Sequence, residues 1–132
     1  MGFDQYHEPP EELSEETRTF ARMITSLIEE AEAIGWYEQR ISLEKDKAAK
    51  AIMENAQQEE FKHFGMDLEF LLRKKEVWRT TLQAILFTKG DIVKLGKKGE
   101  AKATAQKSIE LAKEAKNDDY VRLNEKLLEQ LK

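Results

Sequence analysis

From Phe20 onward the chain repeats apolar residues in alternating steps of three and four. Phe20, Met23, Leu27, Ile34 and Ile41 form one such stripe, the spacing that keeps side chains on one face of an α-helix. Ser14, followed by Glu15 and Glu16, predicts the helix start, with acids set against the positive end of its dipole. A turn is expected from Ser42 to Asp46, with Asp46 as the cap of a second helix running to about Arg73 through Ala49, Met53, Ala56 and Phe70. So short a connection predicts an antiparallel hairpin. A shorter amphipathic helix, Glu76 to Phe87, should follow, carrying Trp78, Leu82, Ile85 and Leu86. Thr88 to Gly99 holds three glycines and reads as a linker or hinge. Beyond it, Glu100 to Lys116 and Asp118 to Leu131 read as a small helical pair broken at Asn117. The expected organisation is an all-α half-bundle over residues 1–95, with its N-terminal tail, and a linker plus helical extension over 96–132.

Extending the two long stripes places polar residues inside them. The first reads Phe20, Met23, Leu27, Glu30, Ile34, Tyr37, Ile41; the second reads Ala49, Met53, Ala56, Glu60, His63, Asp67, Phe70. A buried carboxylate must pair, neutralise or bind a metal. With the turn centred near Leu43 and Glu44, Glu30 and Glu60 both stand roughly 20–25 Å from it at 1.5 Å per residue, and His63 lies one turn deeper. Glu60 and His63 form Glu-x-x-His, which sets a carboxylate and an imidazole on one helical face. Ferritin-like di-iron sites use two such motifs plus one Glu from each of two further helices. This chain has one motif and one partnering Glu, and its other histidine, His7, lies in the tail. A full site therefore requires two hairpins related by a twofold axis, with the metals at their interface.

Composition narrows the alternatives. Of 132 residues 40% are hydrophobic and 36% charged, which suits helices with strongly charged outer faces. A net charge of −4 with dispersed lysines argues against a nucleic-acid partner. The absence of cysteine removes disulfides, thiolate nucleophiles and iron–sulfur ligation. No apolar run approaches the ~20 residues that span a bilayer, and the acidic N-terminus has no signal-peptide core, so the expected location is cytoplasmic.

Three segments carry a resemblance to a known family: Glu29-Glu30-Ala31-Glu32-Ala33-Ile34-Gly35-Trp36-Tyr37-Glu38-Gln39-Arg40, Glu59-Glu60-Phe61-Lys62-His63, and Leu86-Phe87-Thr88-Lys89-Gly90. With His7-Glu8-Pro9 they resemble the encapsulated ferritins in one register over roughly residues 7–95. The resemblance implies a two-helix protomer with a shorter third helix. It implies homodimers forming ferritin-like four-helix bundles and assembling as an annular decamer, and a ferroxidase that serves iron storage and detoxification. Glu30, Glu60 and His63 of each chain would ligate two iron ions per dimer interface. Trp36 and Tyr37 match positions beside the centre; Glu29 and Glu32 match a pair on the metal's approach path. The residues alone leave both open, since Trp36 and Tyr37 also read as packing aromatics and Glu29 and Glu32 as a solvated acidic face.

Two features depart from the family's pattern. Asp67 adds a carboxylate one turn past His63, as an ion-pair partner, an extra ligand or a group behind the ligands. Gly96 to Lys132 is a charged helical stretch without the Gly-Ser-Leu-type peptide that docks members in an encapsulin shell, which leaves residence in an encapsulin nanocompartment open. Competing readings are another di-metal carboxylate activity, such as peroxide reduction, and a metal-free helical adaptor.

Overall fold

The computed structural model describes residues 6–132, and among them five α-helices and one short 3-10 turn, Pro10–Glu12, occur with no strand. The helices are α1 (Glu15–Leu43), α2 (Lys47–Lys74), α3 (Glu76–Gln83), α4 (Ile92–Glu114) and α5 (Asp118–Gln130). The chain divides into two compact units, one ending at Leu71 and the other running Leu72–Lys132.

The first unit is the expected hairpin, and its ends form where the sequence places them. Ser14 Oγ accepts from the Thr17 amide at 3.1 Å, satisfying a donor that the first turn leaves without a partner. Asp46 Oδ1 does the same for the Ala49 amide at 2.8 Å. Between them Glu44 Oε1 accepts from the amides of Lys45 and Asp46 at 2.8 and 2.9 Å, closing the turn with its own carboxylate. At 29 and 28 residues the two helices are each about 42 Å long.

The seam is in place. Phe20, Met23, Leu27, Glu30, Ile34, Tyr37 and Ile41 on α1 are all half-buried, as are Ala49, Met53, Ala56, Glu60, Asp67 and Phe70 on α2; His63 alone of the predicted stripe is exposed. No residue of α1 is fully buried. Two helices have too little mutual surface to enclose a stripe, and Ile28, Trp36, Ile52, Phe61 and Met66 remain exposed along the hairpin. Of these, Ile52 and Met66 lie on the same side of α2 as His63.

The second unit is a three-helix arrangement in which α4 packs against both α3 and α5. One buried cluster joins Ile109 and Ala112 from α4 to Val121 from α5, with Leu128 against them, and Ala103 and Ala105 of α4 are buried as well. α4 ends on Lys116, whose φ of 54° is left-handed, and the Asn117 amide returns to the Ala112 carbonyl at 2.8 Å, the closure typical of a helix C-terminus. Asn117 Oδ1 then accepts from the Tyr120 amide at 3.2 Å and starts α5, so the break expected at Asn117 is where the chain turns. Trp78, expected on the apolar face of the third helix, is exposed.

The linker expected from Thr88 to Gly99 is mostly helix. Asp91 caps α4 by accepting from the Lys94 amide at 3.0 Å, and residues from Ile92 onward, including Gly96 and Gly99, are helical. The third helix is correspondingly shorter than expected, ending at Gln83. Gly99 serves proximity rather than flexibility: a Cβ there would lie 2.7 Å from the Thr81 carbonyl oxygen and 2.8 Å from Ala84 Cβ. The absent side chain lets α4 approach the backbone of α3. Gly96 has no such constraint, its nearest neighbour being Ile85 Cδ1 at 3.7 Å.

The two glycines should therefore respond oppositely to alanine. Gly96→Ala is expected to raise stability by about 0.5–1 kcal/mol through helix propensity. Gly99→Ala should lower it by about 1–2 kcal/mol, because overpacking outweighs the same gain. Thermal or urea unfolding of the two variants checks the signs; equal stabilisation at both sites would remove the close-approach account.

Candidate functional site

One amide that sequence reasoning missed crosses the hairpin and reports its register. Gln57 Nε2 donates to the Ile34 carbonyl at 3.2 Å and to Glu38 Oε2 at 2.8 Å, crossing from α2 to α1. In an antiparallel pair each step forward on α2 faces a step back on α1. Six steps beyond Gln57 is His63, which this register sets level with Glu30. A polar residue three positions before Glu60, next to the apolar stripe, was the available signal.

There the predicted residues meet. His63 Nδ1 stands 3.9 Å from Glu30 Oε1 and 3.5 Å from Glu60 Oε2. A donor atom from each of Glu30, Glu60 and His63 lies within 4.8 Å of the other two. The two carboxylates are sheltered, with side chains 20% and 25% exposed, while the imidazole is 45% exposed on the open side of the hairpin. The ring is thus accessible to a second surface.

The electrostatics of the cluster are those of crowded acids. A hydrogen bond with the Glu60 carboxyl pushes the pKa of Glu30 above its ordinary value of 4.5, assisted by burial and by the Glu60 charge; His63 opposes the shift and Asp67 adds to it. A second negative charge so close disfavours the ionised form of Glu30. Asp67 completes the stripe, and its Oδ2 is buried without a hydrogen-bond partner.

The other candidates lie apart from the converging trio within one chain. Trp36 and Tyr37 are six and seven residues beyond Glu30, about 9–10 Å along the axis of α1. Trp36 is exposed, and the Arg40 guanidinium lies over the half-buried Tyr37 ring, 5.7 Å from its centroid. Glu29 and Glu32 are exposed on the outer face of α1. Glu59, beside Glu60, is paired with Lys62, whose ammonium holds its carboxyl below the ordinary range.

A hairpin of two long helices with a carboxylate–imidazole cluster in its seam defines a ferritin-like helical protein. Comparison with known proteins gives the family: the EncFtn-like family profile matches residues 5–89. A ferritin-like protein of Thermotoga maritima is 42% identical over 92 residues, covering 70% of this chain and 81% of that one. An encapsulated ferritin-like protein of Rhodospirillum rubrum is 43% identical over 86 residues, covering 65% of this chain and 61% of that one. A crystal structure from Nitrosomonas europaea superimposes with a TM-score of 0.65 at 44% identity, covering 67% of this chain and 98% of that one. The chain belongs to the EncFtn-like family, the encapsulated ferritins.

The raised pKa of Glu30 has a stability consequence in the metal-free protein. The folded state holds the proton more tightly than the unfolded one, so the stabilisation is full below pH 4.5 and is lost as pH rises through the raised value. Glu30→Gln should therefore raise the thermal midpoint at pH 7 and change it little at pH 4. A loss at pH 7, or an equal gain at both, would show that crowding of acids is not the cause.

Proposed function

We propose that this protein oxidises Fe(II) to Fe(III) with oxygen at a di-iron site formed between two copies of the chain, with Glu30, Glu60 and His63 of each as ligands. The observation that carries the reading is the convergence of two sheltered carboxylates and one imidazole, all within 4.8 Å, at one level of the seam. The donor set fits the metal: carboxylate oxygens suit both oxidation states and imidazole is a common iron ligand. One hairpin contributes two carboxylates and one histidine, half of the set used in ferritin-like di-iron bundles. Ile52 and Met66, exposed on the same side of α2 as His63, offer the apolar part of the surface over which a second hairpin would complete the bundle and the ligand set together.

Within this reading each residue has a chemical task. Bound iron supplies the one-electron chemistry, each ion giving an electron towards oxygen. Glu30 and Glu60 hold the site's negative charge and supply oxygen ligands, a bound cation offsetting the repulsion between them. His63 contributes a neutral nitrogen and, being half open, meets the facing copy. Glu29 and Glu32 draw cations towards the seam along the outer face of α1. Tyr37 and Trp36 serve the centre from its margin, where a phenol can orient a ligand by hydrogen bonding. Dimers assembling into an annular decamer, and enclosure in a protein shell as the name of the Rhodospirillum rubrum relative suggests, belong to the same proposal, with a mineral store receiving the ferric product.

Oxygen uptake after Fe(II) is added to the metal-free protein tests the activity. Uptake well above that of iron alone, abolished in His63→Ala and Glu60→Ala, is expected; uptake no faster than the iron blank removes the enzyme reading. Assembly should respond to metal as well, because two facing hairpins bring four seam carboxylates together. Analytical ultracentrifugation should show Fe(II) or another divalent ion shifting the metal-free chain to larger species. A size distribution indifferent to metal and chelator would separate assembly from the centre.

A further inference from the structure

Asp67 has no role in the ligand set, yet one of its carboxylate oxygens is buried on the stripe without a hydrogen-bond partner. It lies one helical turn beyond His63 and two beyond Glu60 on the same face of α2. The register reported by Gln57 puts Glu30 level with His63, so Glu30 stands between the carboxylates of Glu60 and Asp67. Asp67 Oδ2 is buried with no hydrogen-bond partner, and its charge repels that of Glu30. A buried carboxylate oxygen without a donor works against the fold that contains it. A compensating cation brought close would make such a charge favourable.

We infer that Asp67 is a positioning residue of the candidate centre: its carboxylate, one oxygen of which is buried without a donor, is a negative charge that tightens the hold of Glu30, Glu60 and His63 on a metal cation without itself being a ligand. The inference rests on the reading of the centre proposed above. It gives one residue opposite effects in two states, opposing the metal-free fold and favouring the loaded one. The effect grows with the charge of the cation, since the attraction is coulombic, and so favours a trivalent ion over a divalent one. Stability given up at a binding site in exchange for affinity is a common arrangement.

The test uses the full metal-free chain, with Co(II) as a divalent probe and Tb(III) as a trivalent one. Wild type, Asp67→Asn, Asp67→Glu and Glu60→Ala are titrated by calorimetry, and the metal-free forms are unfolded thermally. Asp67→Asn is expected to keep the stoichiometry, to bind Co(II) about tenfold more weakly and Tb(III) weaker still, and to unfold at a higher temperature than wild type without metal. Asp67→Glu should recover most of the affinity. Unchanged affinity would overturn the role of Asp67 alone. A lost equivalent of metal would make it a ligand and overturn the positioning role. A lower metal-free midpoint would mean that Asp67 has a structural partner, such as a donor on a facing copy, and would overturn it too. If wild type takes up neither ion, or Glu60→Ala binds as well as wild type, the centre itself falls and the inference with it.

Discussion

Repulsion among acids in an apolar seam is the constraint around which the hairpin is built. Glu30 and Glu60 lie in a stripe with Leu27, Ile34, Met53 and Ala56 as neighbours, and a hydrogen bond joins their carboxyls. Hydrophobic burial draws α1 and α2 together along this stripe, while the acids push against it at one level. The helices satisfy both demands because the seam is only half-buried and His63 stands beside the pair as a polar neighbour. A fully enclosed core would have forced these acids to neutralise outright. A fully solvated face would have left them without the shelter that makes a cation worth binding.

The same geometry links site and assembly. A hairpin of two helices about 42 Å long cannot enclose its own stripe, and no residue of α1 reaches full burial. The exposed imidazole of His63, with Ile52 and Met66 on the same side of α2, gives the first unit one open side beside its seam. Under the proposed reading, whatever covers that side also completes the coordination. Burial of apolar surface would then favour pairing, and the facing acids would oppose it until a cation arrives.

Much of this was legible in the sequence because it rests on local rules. Ser14, Asp46 and Asn117 cap helices by reaching amides three residues on, and the stripe through Glu30, Glu60 and Asp67 follows from helical periodicity. What failed to show were features set by another element. Gly96 and Gly99 read as a hinge because glycine lacks helix propensity, but the reason for Gly99 lies in the carbonyl of Thr81 on a different helix. Gln57 drew no attention in the sequence, since its bond to the Ile34 carbonyl depends on a residue of the other helix. Trp78 was assigned to an apolar face by its periodicity, yet a short helix with a single packing neighbour leaves much of its surface open.

The second unit ties a helix inside the family match to helices beyond it. The EncFtn-like profile ends at residue 89, so α3 falls within it and α4 and α5 outside. Thr80 on α3, itself buried, donates its hydroxyl proton to Gln106 Oε1 on α4 at 3.0 Å, and Gly99 brings the α4 backbone against that of Thr81. These contacts are too close for a loosely tethered appendage, because an added methyl group at Gly99 would already collide with α3. α4 in turn draws its own support from α5 through Ile109, Ala112 and Val121. In this chain the third helix therefore takes its setting from a structural partner that the family pattern does not supply. Any surface that α3 offers is shaped jointly by residues on both sides of that boundary.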